Sequence, residues 1–419
     1  MQPPTTARAP SAAPPVTAGG ADAPAGRLPL LLRPAAVVGI LFAVVAPVVF
    51  LGNHMIDLGV YRAGGAAVLH GRDLYAPGFA RQLSPPLAFT YPPVAAVLAT
   101  PAALLPRWLA GTLWTLGELA VLVWLVSLAG RPLLARVAAE RGAAAAGGVR
   151  LVVSLGMAWV SPVNDHLGFG QVNLFLLALV VADLTVATPR WPRGALIGLA
   201  AAVKLIPAVF VLLLLVTGRR ATARTAVLTG VGATAVGFVV LPASSVDYWT
   251  RELFATDRIG DTAYFSNQSL RAITARLLPA GLATPAWVLA GAVVLALGLR
   301  AARRAHAAGE PLTAAVLTAL VGALISPITW IHHLVWLVPA VLLVLGAGRD
   351  RGRAVAAAVL TVLLWARLPY LGQLLHDHHW PGLLAEPLRD GYGLLCLGLL
   401  VALPWLARRA TRAACTPAP

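Results

Sequence analysis

Long apolar runs recur along this chain from residue 34 to residue 407, most of them on the order of 15 to 25 residues, separated by short arginine-bearing segments. These runs constrain the fold before any motif is considered. A polypeptide in hydrocarbon must satisfy its own N–H and C=O groups, and uninterrupted apolar sequence does so as α-helix. A transmembrane barrel would need short segments that alternate apolar and polar residues, which these do not. Composition agrees: 59% of residues are hydrophobic, 11% are charged, and the mean hydropathy is +0.80. The fold class is an all-α polytopic membrane protein.

A formal charge of +16 raises the question of nucleic acid, but the arginines stand in twos and threes between apolar runs and form no continuous stripe. They are topology signals, and no nucleic-acid partner is expected. Cys396 lies inside the last apolar run and Cys415 after it, so no disulfide is expected. Residues 1–33, rich in Pro, Ala, Gly and Thr, hold too little bulky apolar surface to fold and are expected to form a disordered cytoplasmic tail. The run from Pro34 to Leu51 starts too far from Met1, and is too long, for a cleaved signal, and reads as the first span.

The excess of Lys and Arg on the cytoplasmic side selects one threading. Twelve spans, at roughly 34–51, 108–129, 149–162, 171–187, 194–204, 206–217, 223–242, 283–300, 312–326, 331–347, 354–368 and 391–407, put nearly all arginine clusters inside. Both termini are then cytoplasmic, with a domain over residues 34–407 and a C-terminal tail over 408–419. Several of these spans are too short to cross about 30 Å alone and must be buried by neighbours. The run at 91–105 is expected to lie against the outer face, and Lys204 with Pro207 breaks one apolar stretch in two. Broken elements at membrane depth line water-filled cavities, so a cavity is expected there.

The unusual polar groups gather on the outer side of this threading. Asp57 follows the first span on a segment where Ile56, Val60, Ala63 and Ala67 share one side of an interfacial helix, a place where a partly desolvated carboxylate can act as a general base. A solvated loop acid is the plainer alternative. Tyr61 and Arg62 lie on the same segment. Tyr91 precedes two prolines that suit a helix start. Asp165, His166, Gln171 and Asn173 crowd one turn between spans, where ordinary capping also accounts for them. Lys204 is the only lysine among 32 basic residues and is flanked by apolar sequence, which points to a cation for a phosphate or a partner carboxylate, against snorkelling to the interface. Asn267 and Gln268 stand in an outer loop, and His332 and His333 cannot both face one direction if they sit on a helix. The group His376, His378 and His379 reads as a solvated loop rather than a metal site.

Taken in order, Asp57 to Tyr61, G-R-D-L-Y (71–75), F-T-Y-P-P (89–93), G-Q-V-N (170–173), G-L-A-A-A-V-K-L-I-P (198–207), N-Q-S-L (267–270) and S-P-I-T-W-I-H-H (326–333) resemble glycosyltransferase family 87. That family belongs to the GT-C superfamily and is typified by actinobacterial polyprenol-phosphate-mannose-dependent α-(1→2)-mannosyltransferases. The resemblance implies about 12 transmembrane helices with juxtamembrane helices in the first external loop. It implies an extracytoplasmic site in the plasma membrane, a polyprenyl-phosphate-linked sugar donor and a glycolipid or lipoglycan acceptor. It places Asp57 where the family carries its catalytic acid residue, and Lys204, His332 and His333 where groups could hold the lipid phosphate. The expected reaction is inverting, without metal or other cofactor, because a polyprenyl phosphate is itself a stable leaving group. The family also includes decaprenyl-phosphate-arabinose-dependent arabinofuranosyltransferases, an alternative these residues leave open. A lipid flippase is the rival class, disfavoured by the lack of a repeat and by polar groups confined to one face.

Overall fold

The computed structural model describes residues 34–52, 55–76, 79 and 87–415; the tail expected over residues 1–33 lies outside them, as do residues 416–419. Regular structure among the described residues is helical. The chain opens with α1 (Pro34–Gly52), lays down α2 (Ile56–Leu69) and α3 (Pro93–Leu104), and continues into α4 (Arg107–Ala129) and α5 (Arg131–Ala158). A central group follows: α6 (Ser161–Phe169), α7 (Asn173–Thr185), α8 (Ala195–Val203), α9 (Val209–Val216) and α10 (Arg220–Val240). Short α11 (Pro242–Asp247), a π-helical turn over Tyr248–Glu252 and α12 (Leu270–Leu277) lead to α13 (Ala280–Ala307) and α14 (Pro311–Ile325). The chain closes with α15 (Leu337–Leu345), α16 (Arg351–Trp365), α17 (Leu368–Asp377), α18 (Gly382–Arg389) and α19 (Gly391–Cys415).

The twelve segments expected to span overlap helices, but among the described residues only three helices, α4, α10 and α13, are long and apolar enough to cross a membrane by length and composition alone. The number rises to six if three bent pairs count as single spans: α5 with α6 at 73°, α16 with α17 at 49°, and α18 with α19 at 66°. Two boundaries differ from expectation. Residues 131–150, read as a cytoplasmic connection, are helical, because an Ala-rich stretch is a strong helix former; Gly142, at φ 88°, kinks it. At the other end α19 runs past residue 407 to Cys415, so the tail begins as a continuation of the helix.

Burial separates inside from outside. α14 is buried along almost its whole length, with α7, α9, α13, α15 and α19 packed around it. α10 and α13 instead turn Val239 (82% exposed) and Leu289 (68%) outward, a surface that belongs against lipid rather than water. The segment between α1 and α4 carries α2 and α3, packed on one another, with Val60, Ala63 and Ala67 buried as the helical pattern predicts and Ile56 half-buried.

The break in the middle of the chain is sharp. Lys204 ends α8 in an extended conformation (φ −149°, ψ 129°), and a single 3₁₀ turn over Ile206–Ala208, with Pro207 at its centre, leads into α9. A side chain at Gly194 would collide with the Thr222 carbonyl and one at Gly198 with the Ala226 carbonyl, so α8 and α10 lie in close contact and run parallel. The connecting α9 therefore runs the opposite way, and Lys204 sits at the apex of the α8–α9 turn.

Candidate active site

Asp57 occupies the first turn of α2, behind a left-handed Met55 (φ 48°) whose N–H donates to Gly168 O at 3.1 Å. The α6–α7 turn grips this helix start. Gly170, at φ 65°, ends α6 in the left-handed conformation, and a side chain there would press on Leu58 at 2.8 Å. The next residue, Gln171, is thereby laid against α2. Its Oε1 accepts from the Tyr61 hydroxyl at 2.6 Å, from Val172 N–H at 2.9 Å and from Tyr91 at 3.3 Å. With that oxygen occupied, the amide nitrogen is the polar group that Gln171 has left to offer the Asp57 carboxyl, whose charged form its side chain favours. Burial raises the Asp57 pKa to about 6, while Lys204 and the Gln171 hydrogen bond hold it back from rising further. A carboxylate so tuned accepts a proton near neutral pH.

Lys204 reaches the same space from the apex of the α8–α9 turn. Its ammonium donates to Asn173 Oδ1 at 2.9 Å, lies 3.3 Å from His333 Nε2 and sits over the Tyr91 ring, 5.5 Å from its centre. The histidines differ from the expectation for a helix: α15 starts only at Leu337, and His332 and His333 stand on a 3₁₀ turn over Ile331–His333. Released from helical geometry, both rings line the cavity, edge to face with centres 4.7 Å apart.

That cavity measures about 980 Å³ and is open at one side. Asp57, Tyr91, Gln171, Lys204, His332 and His333 line it. Tyr61 and Asn173 stand one layer behind, bonded to Gln171 and Lys204 respectively. The remaining sequence candidates are turned elsewhere. The Arg62 guanidinium donates to Ala102 O and Leu105 O, capping the carboxyl end of α3. Asp165 accepts from Arg367 at 2.7 Å and Tyr370 at 2.9 Å, which joins α6 to the α16–α17 bend. His166 is fully buried and bonds the His332 carbonyl at 3.2 Å. Asn267 is spent on Thr262 O, Pro327 O and the N–H groups of Ser269 and Thr329, and Gln268 on Phe265 O, Arg389 O and the N–H groups of Tyr392 and Gly393. These two amides fasten the 326–330 loop and the start of α19, and do not face the cavity.

The structure adds residues that sequence patterning passed over. Tyr248, Glu252, Arg258, Tyr264, Trp330 and Tyr370 also line the cavity. Arg258 is held by an ion pair with Glu252, by Phe89 O at 3.0 Å and over the Tyr75 ring. The one available signal was the mixture of aromatic and charged residues between 248 and 265, unusual in so apolar a chain. Among the described residues no three His, Cys, Asp or Glu side chains gather as a metal would require; His376 instead meets Glu386 at 3.0 Å.

A carboxylate and an ammonium that share one cavity at the end of broken helices suit a reaction in which one group takes a proton and the other receives a departing anion. The model of glycosyltransferase family 87 matches residues 89–327. The chain belongs to glycosyltransferase family 87. It is 38% identical, over 74% of its own length and 74% of the relative's, to a polyprenol-phosphate-mannose-dependent alpha-(1-2)-phosphatidylinositol mannoside mannosyltransferase of Mycobacterium tuberculosis (strain ATCC 25618 / H37Rv). It is 37% identical to the protein of the same description from Mycolicibacterium smegmatis, over 76% of this chain and 77% of that one. A pentamannoside mannosyltransferase of Mycobacterium tuberculosis (strain CDC 1551 / Oshkosh), also polyprenol-phosphate-mannose-dependent and alpha-(1-2), is 35% identical over 72% and 68% of the two lengths. No solved structure matches this glycosyltransferase. The family match begins at Phe89, so Asp57 and Tyr61 lie upstream of it, whereas Tyr91, Gln171, Lys204 and Asn267 lie within it.

Proposed function

We propose that this glycosyltransferase is an inverting mannosyltransferase that moves mannose from a polyprenyl-phosphate donor onto a phosphatidylinositol mannoside or related lipoglycan hydroxyl, forming an α-(1→2) link. The reaction takes place on the extracytoplasmic face of the plasma membrane. The observation that carries this reading is the convergence of Asp57 and Lys204, from separate elements, on one cavity. The donor and acceptor classes follow those named for the mycobacterial relatives. The orientation, and a count of about 12 spans, follow from the arginine placement.

In the reaction an acceptor hydroxyl attacks the anomeric carbon from the face opposite the phosphate. The new C–O bond forms as the anomeric C–O bond to phosphate breaks, through an oxocarbenium-like transition state that inverts a β-linked donor to an α product. Asp57 takes the acceptor proton. The electron pair leaves on the polyprenyl phosphate, where charge grows opposite the Lys204 ammonium and the His332 and His333 ring nitrogens. Tyr91 and Gln171 hold these groups in place. The apolar lining of Ile206, Val209, Leu212 and Ile325 fits the first isoprene units, and the aromatic lining of Tyr264, Trp330 and Tyr370 fits acceptor sugar faces.

The test is transfer from labelled polyprenyl-phosphate-mannose and from the corresponding arabinose donor, side by side, in membranes carrying the protein. Mannose transfer to a phosphatidylinositol mannoside is expected. Transfer of arabinose alone would overturn the donor assignment.

A further inference from the structure

The proposed mechanism leaves one buried acid unused. Glu118 is the single acidic residue of α4 and is fully buried, as is His166 on α6; its Oε1 lies 3.0 Å from His166 Nε2. Two other contacts fix the state of that imidazole. Its Nδ1 lies 3.2 Å from the His332 carbonyl, which can only accept, so Nδ1 carries the hydrogen. The Leu174 N–H, which can only donate, points at Nε2 from 3.4 Å, so Nε2 carries no hydrogen, and its one lone pair is shared between this long contact and the nearer Glu118 oxygen. The ring is therefore neutral, and a carboxyl group facing its lone pair must bring a proton of its own.

We propose that Glu118 is a carboxylic acid that donates to His166 Nε2, and that the pair is a positioning device for the cationic end of the site. The route is continuous. His166 holds the His332 carbonyl, Asn173 Nδ2 donates to that same carbonyl at 3.4 Å, and Asn173 Oδ1 receives the Lys204 ammonium at 2.9 Å. An ionised pair would make the same Glu118–His166 contact but would place two charges where no water reaches, which costs more than the neutral form. Locking the ring in its Nδ1–H tautomer keeps the histidine turn, and with it His333 and Lys204, in one arrangement. The role assigned to Lys204 here rests on the mechanism proposed above; the protonation of Glu118 does not.

The test compares Glu118→Gln and Glu118→Leu in the full-length protein in nanodiscs, using whichever sugar donor the native protein accepts. The glutamine amide can donate to Nε2 as the acid does, so Glu118→Gln should keep kcat within about threefold. Leucine leaves Nε2 without its partner, and kcat should fall about 10- to 30-fold with little change in KM for the acceptor. An infrared difference spectrum of native protein against Glu118→Gln needs no donor and should show the loss of a carboxylic-acid C=O band. Loss of activity in Glu118→Gln equal to that in Glu118→Leu, together with a carboxylate band in its place, would establish an ionised pair and overturn the assignment. Unchanged kcat in Glu118→Leu would remove the positioning role. Should Glu118→Leu fail to fold, the glutamine variant and the spectrum still decide.

Discussion

Tyr61 donates its hydroxyl to Gln171 Oε1 at 2.6 Å, and by occupying that oxygen it turns the Gln171 amide nitrogen toward Asp57. The surroundings of the proposed base are thus set by a tyrosine one helical turn along on its own helix, acting through a glutamine from a distant turn.

This arrangement has a pH signature. With a pKa of about 6, Asp57 is protonated below that value and cannot accept the acceptor proton. The rate kcat/KM should therefore fall about tenfold per pH unit below the midpoint and level off above it. Gln171→Leu removes a hydrogen bond that favours the carboxylate, so the acid limb should move to higher pH. Rate profiles of the two proteins decide this; coincident limbs would mean that Gln171 does not act on the base.

Asp57→Asn keeps the shape but accepts no proton, and transfer should drop about 10²- to 10⁴-fold. Stability should not follow. The folded pKa lies above the unfolded 3.8, so ionised Asp57 costs the fold stability as pH rises through about 6, and the neutral amide removes that cost. Thermal unfolding at pH 7 should show an unchanged or higher Tm; a marked fall would give Asp57 a structural role instead.

Lys204→Met should remove about 2–4 kcal/mol of transition-state stabilisation, read in single-turnover transfer, with donor binding less affected. Lys204→Arg should not restore it, because a planar guanidinium cannot occupy the point position defined by Asn173 and His333. Full activity in the arginine variant would show that charge alone suffices.

Gly170→Val forces a β-branched residue to φ 65° and drives it into Leu58, so about 2 kcal/mol or more of stability should be lost. Transfer should decline with it, since the same turn carries Gln171. A variant that unfolds normally yet transfers poorly would separate the two effects.

The proposed orientation predicts accessibility. With Cys396 and Cys415 replaced by serine, cysteines at the exposed His70 and Asp261 should react with an impermeant thiol reagent in intact cells, and one at Arg303 only after permeabilisation. The opposite pattern would turn the cavity to the cytoplasm.

Helical content was legible because apolar runs and arginine clusters report burial and charge, which are properties of each segment alone. Lys204 stood out for the same reason, as a lone cation in apolar sequence, and so did the break around it. The site partners were less legible. Asn267 and Gln268 look like binding groups in a loop, and only the fold shows their donors and acceptors used up on backbone from three other segments. Glu118 lies away from the helix ends where the other polar groups cluster, though an acid inside a 23-residue apolar helix is itself a signal. Arg258 was marked only by the mixed aromatic and charged stretch around it; its significance comes from Glu252, Phe89 and Tyr75 meeting it in space.

The extended backbone at Lys204 has a mechanical consequence. In a hinged lever the pivot moves least, and here the pivot is the residue that bears the charge. If α9 tilts about this joint, its carboxyl end, where Leu215 is 49% exposed, sweeps through the largest arc while the ammonium stays almost still. A bulky lipid can then be admitted beside α9 while the distances among Lys204, Asn173 and His333 remain as they are.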